Sequence, residues 1–343
     1  MLAVLHPPVD AAQQRLADDP DRYAFELNHV HPLTLTAVPS TVMRLRGGSP
    51  GSSAAGAGRT DGLRLAVGLL TIFPVRVPRV DRRTAGAAMG SAPVVGLVLG
   101  LVACLPLLLP GPPLLGAVLA VGALAVLTRG LHLDGLADLA DGLGSGKPAD
   151  QALDIMKKSD IGPFGVMTLV ITLLAQIAAL TAAGPFALVT ACVTGRLALV
   201  WACRSGVPAA RPGGLGATVA GTVRPATAWR VTAAALIVAA LAGVVLAAWT
   251  SASHPPPVTA PLEWGPATAP SDRTSAPLGL TPAALSGWAS AVVAPIAMAA
   301  GLGAALLLLR RARRRLGGVT GDVLGALVET ATTAALVVWA VIG

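Results

Sequence analysis

The chain has 343 residues, 54% apolar and only 12% charged, with a formal net charge of +8. Soluble domains carry about twice that share of charge, so this composition cannot cover a water-exposed surface and excludes an ordinary soluble fold. Its 39 Gly and 28 Pro follow no Gly-X-Y period, which excludes a collagen-like fibre.

Residues 1–62 differ from the rest. Asp18-Asp19-Pro20-Asp21 and the small-residue stretch from Gly47 to Gly58 cannot bury enough surface to offset ordering entropy, so this part reads as a disordered tail. It has no basic segment followed by an apolar one, so it is not a signal peptide. His29 and His31 fall here and read as solvated. Residues 63–343 read as one polytopic membrane domain.

The apolar run Leu65 to Phe73 is closed by Pro74 and Pro78. Nine helical residues rise only ~14 Å against a hydrocarbon core of about 30 Å. The run is expected to lie at the interface or to dip in as a re-entrant segment. Seven later runs approach the ~20 residues a crossing needs: 91–110, 112–130, 166–184, 186–203, 230–249, 285–309 and 323–343. Lipid offers no partner for backbone groups, so they must be helices, and the fold class is an all-α integral membrane protein with about seven crossings. Gly96 and Gly100 stand four apart, as in closely packed membrane helices.

Basic residues fall on alternate loops. With 74–90 placed inside, the inside segments carry Arg76, Arg82, Lys147, Lys157, Arg211, Arg224 and the run Arg310 to Arg315, whereas the long loop 250–284 carries only Arg273. That split predicts a cytoplasmic face for the charged loops. The same split explains the positive charge without nucleic acid, which is not an expected partner. Cys104, Cys192 and Cys203 lie in or beside apolar runs and read as small buried hydrophobes, with no disulfide.

The segment Leu131 to Gly142 carries the chemistry. Asp134, Asp138 and Asp141 stand at i, i+4 and i+7, on one helix face with apolar residues opposite. Three stacked carboxylates repel one another unless a cation sits among them, and hard oxygen ligands of this kind suit Mg²⁺. Downstream, Lys157, Lys158 and Ser159 precede glycines at a helix start, an arrangement that can hold phosphate oxygens or merely anchor the chain at the membrane surface. Near the C-terminus Asp322 and Glu329 stand seven apart, with Glu329 inside the last span. Arg196, inside the fourth, is its natural opposite charge, as a structural pair or as a substrate contact.

Together these segments resemble the adenosylcobinamide-GDP ribazoletransferase (cobalamin synthase) family. The resemblance rests on His132-Leu133-Asp134-Gly135-Leu136-Ala137-Asp138 with Asp141-Gly142, on Met156 to Gly165, and on Gly317-Gly318-x-Thr320-Gly321-Asp322-x-x-Gly325-Ala326-x-x-Glu329. Leu70-Thr71-x-Phe73-Pro74-Val75, Pro93-x-x-Gly96 and Gly214-Leu215-Gly216 add to it. It covers roughly residues 63–343; the tail and the 250–284 loop have no counterpart in compact members.

The resemblance implies a Mg²⁺-dependent membrane transferase at the end of cobalamin assembly. Such an enzyme joins adenosylcobinamide-GDP to α-ribazole or its 5′-phosphate and releases GMP. It would lie in the cell membrane with its active-site loops cytoplasmic, and a homo-oligomer is compatible with it. The residues then expected to act are Asp134, Asp138, Asp141 and Asp322 on the metal. Lys157, Lys158, Ser159, Arg196 and Thr320 would contact substrate, and Asp141 or His132 would serve as base. Two other readings compete. A CDP-alcohol phosphotransferase would want Arg where Asp138 stands. An ion-coupled transporter would not gather its acids at one end.

Overall fold

The computed structural model describes residues 54–77, 80–253 and 282–343. It is built of helices, with no strand among the described residues beyond two isolated bridges. In chain order these are α1 (Ala54–Leu70), α2 (Arg82–Ala103), α3 (Pro113–Leu127), α4 (Leu131–Gly144), α5 (Ala149–Ile155), α6 (Pro163–Ala202), α7 (Gly214–Val219), α8 (Pro225–Ser253), α9 (Pro282–Leu316) and α10 (Gly321–Ile342). The caps are local. Asp81 accepts the Thr84 N–H at 2.7 Å to start α2, and Thr320 accepts that of Val323 at 3.2 Å to start α10.

Two boundaries differ from the sequence reading. Helix α1 begins at Ala54, inside the stretch read as tail, and Gly62 packs against Ala87 of α2 so closely that a Cβ there would lie 2.5 Å from the Ala87 methyl. Apolar packing against α2 thus orders residues that composition alone leaves free. Residues 1–53 and most of the 250–284 loop lie outside the described residues.

The run read as 112–130 ends as helix at Leu127, because Arg129 and Gly130 take positive φ (57° and 66°) and turn the chain by 88° into α4. Fifteen residues of α3 rise only about 22 Å. By length and hydropathy five helices can cross a membrane, or six if the bent α3–α4 pair counts as one.

Helix α6, with 40 residues, covers the two runs expected at 166–184 and 186–203. Gly184 interrupts it with φ 73° and ψ −175°, directly before Pro185. Gln176 and Arg196 line the same small cavity, although twenty residues of straight helix would separate them by about 30 Å. Gln176 bonds Glu329 and Thr333 of α10; beyond the break Phe186 meets Trp339, and Thr332 bonds the Ala191 carbonyl. The first leg therefore runs along α10 and the second returns beside it. Helix α6 is a hairpin folded at Gly184.

Small residues bring the helices together. A Cβ on Gly96 would lie 2.5 Å from the Cys192 carbonyl, and one on Gly301 would lie 2.5 Å from that of Ala331, so α2 meets α6 and α9 meets α10 backbone to backbone. Outward faces stay apolar, with Ile171, Leu174, Ile237 and Leu241 exposed, as a lipid-facing surface requires. The loops that carry the bonded arginines gather at one end. There Arg82 bonds the Ala220 carbonyl at 2.9 Å, Arg313 that of Gly206 at 3.1 Å and Arg315 that of Lys147 at 3.2 Å.

The hairpin makes a directional prediction. In right-side-out and inverted vesicles, single cysteines at Ser159 and Ala226 should react with an impermeant maleimide from the same side, and one at Ala182 from the other. Labelling of 159 and 226 from opposite sides would mean that α6 crosses once.

Candidate active site

Helix α4 lies at the polar end with Asp134 exposed, Asp138 half-buried and Asp141 buried. Its position depends on glycine. A Cβ on Gly135 would lie 2.7 Å from the Asp322 carbonyl oxygen, and one on Gly325 would lie 3.1 Å from the His132 Cα. Helices α4 and α10 thus cross at bare backbone, and Asp322 comes to rest beside the turn that carries Asp134 and Asp138. Asp138 is within electrostatic reach of Asp134, Asp141 and Asp322, and of Arg211 from the 203–213 loop.

The segment before α10 is pinned from its other side. The Val319 N–H donates to the Pro208 carbonyl and the Ala210 N–H to the Val319 carbonyl, each at 3.0 Å. Gly317 holds φ 83°, and Gly318 presses against Pro208 and Ala209 where any side chain would collide. Thr320, expected as a substrate contact, is buried; its hydroxyl caps α10 and donates to Asp322 at 3.2 Å, fixing that carboxylate.

Asp141 has a different environment from its two partners. Its Oδ2 accepts the Gly162 N–H at 2.7 Å and its Oδ1 the Gly165 N–H at 2.9 Å. Those are the N-cap and third residues of α6, donors that a helix leaves unpaired, at the end where its dipole favours negative charge. A Cβ on Gly162 would lie 2.5 Å from Oδ1, so glycine there is a steric requirement of the clamp. The same N–H groups, read from sequence as a phosphate cradle, are thereby occupied from within the chain. Lys157, Lys158 and Ser159 are exposed on the approach, with Lys157 paired to Asp154 at 3.2 Å.

Deeper in the bundle lies a second polar region. His132 is buried against Gly325, and neither ring nitrogen has a hydrogen-bond partner among the described residues. Arg196 and Glu329 face one another across a cavity of ≈ 20 Å³ that Gln176 and Thr332 also line. Gln176 donates to Glu329 at 2.8 Å and to Thr333 at 2.9 Å. The described residues contain no direct Arg196–Glu329 ion pair; Gln176 takes the place beside the carboxylate instead. Sequence reasoning passed over Gln176, although an amide inside an apolar span is a signal in itself. It also passed over Arg211 as a site residue, which nothing local distinguishes from a membrane-flank arginine.

No three His, Cys, Asp or Glu side chains among the described residues converge to form a complete metal cage. An all-oxygen set with Asp138 and Asp322 within electrostatic reach of one another nevertheless fits Mg²⁺, which takes one or two carboxylates and completes its shell with water and substrate phosphates.

Fold and site define a polytopic helical membrane protein with an acidic face and arginines at one end of the bundle. Residues 62–340 match the family model described as cobalamin-5-phosphate synthase. A Frankia casuarinae protein named adenosylcobinamide-GDP ribazoletransferase is 40% identical over 295 residues, covering 81% of this chain and 93% of its own length. Proteins of the same name from a Nocardioides species and from Stutzerimonas stutzeri are 38% and 36% identical, covering 82% and 80% of this chain and 98% and 96% of their own. No solved structure matches. The chain belongs to the cobalamin-5-phosphate synthase family.

The Asp141 clamp can be tested by stability. Asp141→Ala leaves two donors unpaired, the Gly165 N–H buried and the Gly162 N–H partly so, and should cost roughly 1–3 kcal/mol. Gly162→Ala should cost a similar amount by displacing the carboxylate. Both are read as a lowered thermal midpoint of the detergent-solubilised protein. A midpoint unchanged in both variants would contradict the clamp.

Proposed function

We propose that the protein joins adenosylcobinamide-GDP to α-ribazole, or to its 5′-phosphate, and releases GMP. The observation that carries this reading is the family match over residues 62–340 together with the acidic face that α4 and α10 build at their glycine crossing. In the reaction a ribose hydroxyl oxygen attacks the cobinamide-side phosphorus of a pyrophosphate. The bond from that phosphorus to the bridging oxygen breaks, and GMP departs with the electron pair. The attacking hydroxyl gives its proton to a carboxylate of the same face.

Asp138 and Asp322 would hold Mg²⁺ here, with the Asp134 charge nearby, and the ion would neutralise the pyrophosphate and the leaving oxygen. Thr320 keeps the Asp322 carboxylate in place, and Asp141 acts at one remove by fixing the start of α6 against α4. Lys157, Lys158 and Ser159 lie exposed on the approach, Lys157 in an exposed pair with Asp154, and would meet phosphate oxygens there. Arg196, deep in the bundle, serves the substrate only indirectly, through the packing of α6 against α2 and α10.

The same reading includes seven crossings: α2, α3, the two legs of α6, α8, α9 and α10. It places the polar end in the cytoplasm and the bundle in the cell membrane. The grouping of all basic loops at one end supports that orientation, since retained arginines mark the cytoplasmic side.

The test uses the full chain in neutral-lipid nanodiscs with adenosylcobinamide-GDP, α-ribazole and Mg²⁺. Mass spectrometry should find GMP and a cobalamin product in equal amounts, and chelation should stop both. Asp138→Asn and Asp322→Asn should each lower turnover by roughly a hundredfold or more, since each removes a fixed charge at the reacting phosphates. Absence of GMP from the complete mixture would refute the proposed activity.

A further inference from the structure

At the polar end, beside the acidic face, opens a surface cavity of ≈ 860 Å³. Its walls are the 206–212 loop, Ala217 to Gly221 at the end of α7, Arg82 at the start of α2 and Arg313 near the end of α9. Arg82, Arg211 and Arg313 line it, and no lining residue is acidic.

Each of the three guanidinium groups is held by a backbone carbonyl from a different part of the chain: Arg82 by Ala220 at 2.9 Å, Arg313 by Gly206 at 3.1 Å, and Arg211 by Leu153. A guanidinium carries five N–H donors, so one such bond orients it and leaves most of its donors unused. The Arg211 Nε is buried without a partner among the described residues. Three oriented cations around one concavity are costly to gather unless an anion with clustered charge shares the space, and planar guanidinium forks match phosphate oxygens. The volume suits a nucleotide-sized ligand better than a single phosphate ion.

Position decides which anion. Arg211 faces the cavity and is also within electrostatic reach of Asp138 and Asp322, so the basin and the acidic face share one residue at their border. A ligand spanning that border would place one phosphate among the arginines and the next beside the carboxylates.

We propose that this arginine basin binds the nucleoside phosphate half of the activated substrate and holds the nucleoside monophosphate after the bond breaks. The proposal rests on the transferase reading above and assigns its nucleotide subsite. A basic pocket near the membrane surface also suits an anionic lipid headgroup, which offers the same phosphate chemistry, so the test separates the two sources.

Isothermal titration of GDP and GMP into the full chain, in phosphatidylcholine nanodiscs without the second substrate, measures the subsite apart from turnover. Arg82→Gln and Arg313→Gln should each weaken GDP binding about tenfold, the scale of one charged hydrogen bond. Arg313→Lys should recover part of that loss. Arg310→Gln, on an exposed arginine outside the basin, should leave it unchanged.

In turnover assays the two basin variants should raise KM for adenosylcobinamide-GDP and relieve inhibition by added GMP. KM for α-ribazole should stay as it was. A correctly folded variant is recognised by an unchanged thermal midpoint. Adding 20% phosphatidylglycerol to the nanodiscs should leave GDP affinity within twofold. Loss of GDP binding in those discs but not in neutral ones would assign the basin to lipid and overturn the proposal. Equal GDP affinity in wild type and both Gln variants would also overturn it, while an active wild-type enzyme would leave the transferase reading standing. An inactive wild type that still binds GDP through these arginines would refute the transferase reading and keep the basin.

Discussion

Contact between the bare backbones of α4 and α10 is the constraint on which the site depends. Inside a bilayer helices gain nothing from hiding apolar surface, so they associate through close packing and polar contacts. Gly135 and Gly325 permit that approach from opposite sides of one crossing: a methyl group at Gly135 would not fit, and one at Gly325 would push its neighbour back. Everything acidic follows from it. Asp322 reaches Asp134 and Asp138 across nearly two hundred residues of sequence only because nothing larger than hydrogen stands between the helices. A Thr320 cap and a pinned Gly317-Gly318 turn then fix the angle at which α10 arrives.

A second polar region shows how the bundle tolerates charge at depth. Glu329 is met by the Gln176 amide and Arg196 packs beneath Gly96, with a small cavity between carboxylate and guanidinium. An amide from the first leg of α6 therefore takes the place that a structural Arg196–Glu329 pair would fill. This arrangement ties both legs of the hairpin to α10, and so connects the packing of α2 against α6 with the helix that carries Asp322.

Much of this was legible in the sequence, for identifiable reasons. Apolar runs and flanking arginines follow from the insolubility of backbone groups and charges in hydrocarbon, and that signal is local. The face made by Asp134, Asp138 and Asp141 follows from helical periodicity, also local. What escaped was tertiary. Asp141 shares a face with its neighbours yet spends both oxygens on the start of α6, because Gly162 and Gly165 are brought to it by a fold that spacing does not encode. The helical start at Ala54 escaped for the same reason, since small residues without a periodic face become ordered only against α2. Likewise Arg82, Arg211 and Arg313 read singly as flanking charges, and only the fold draws them around one basin.

The hairpin in α6 bears on how the chain enters a membrane as it is made. Its two legs are joined by one residue of non-helical backbone, with no hydrophilic linker between them. A first leg halted alone would leave the amide of Gln176 in lipid with nothing to meet it. The pair is thus suited to leave the insertion machinery together, as one folded unit, which makes the tip at Gly184 a point where lengthening the chain would disturb biogenesis before it disturbed chemistry.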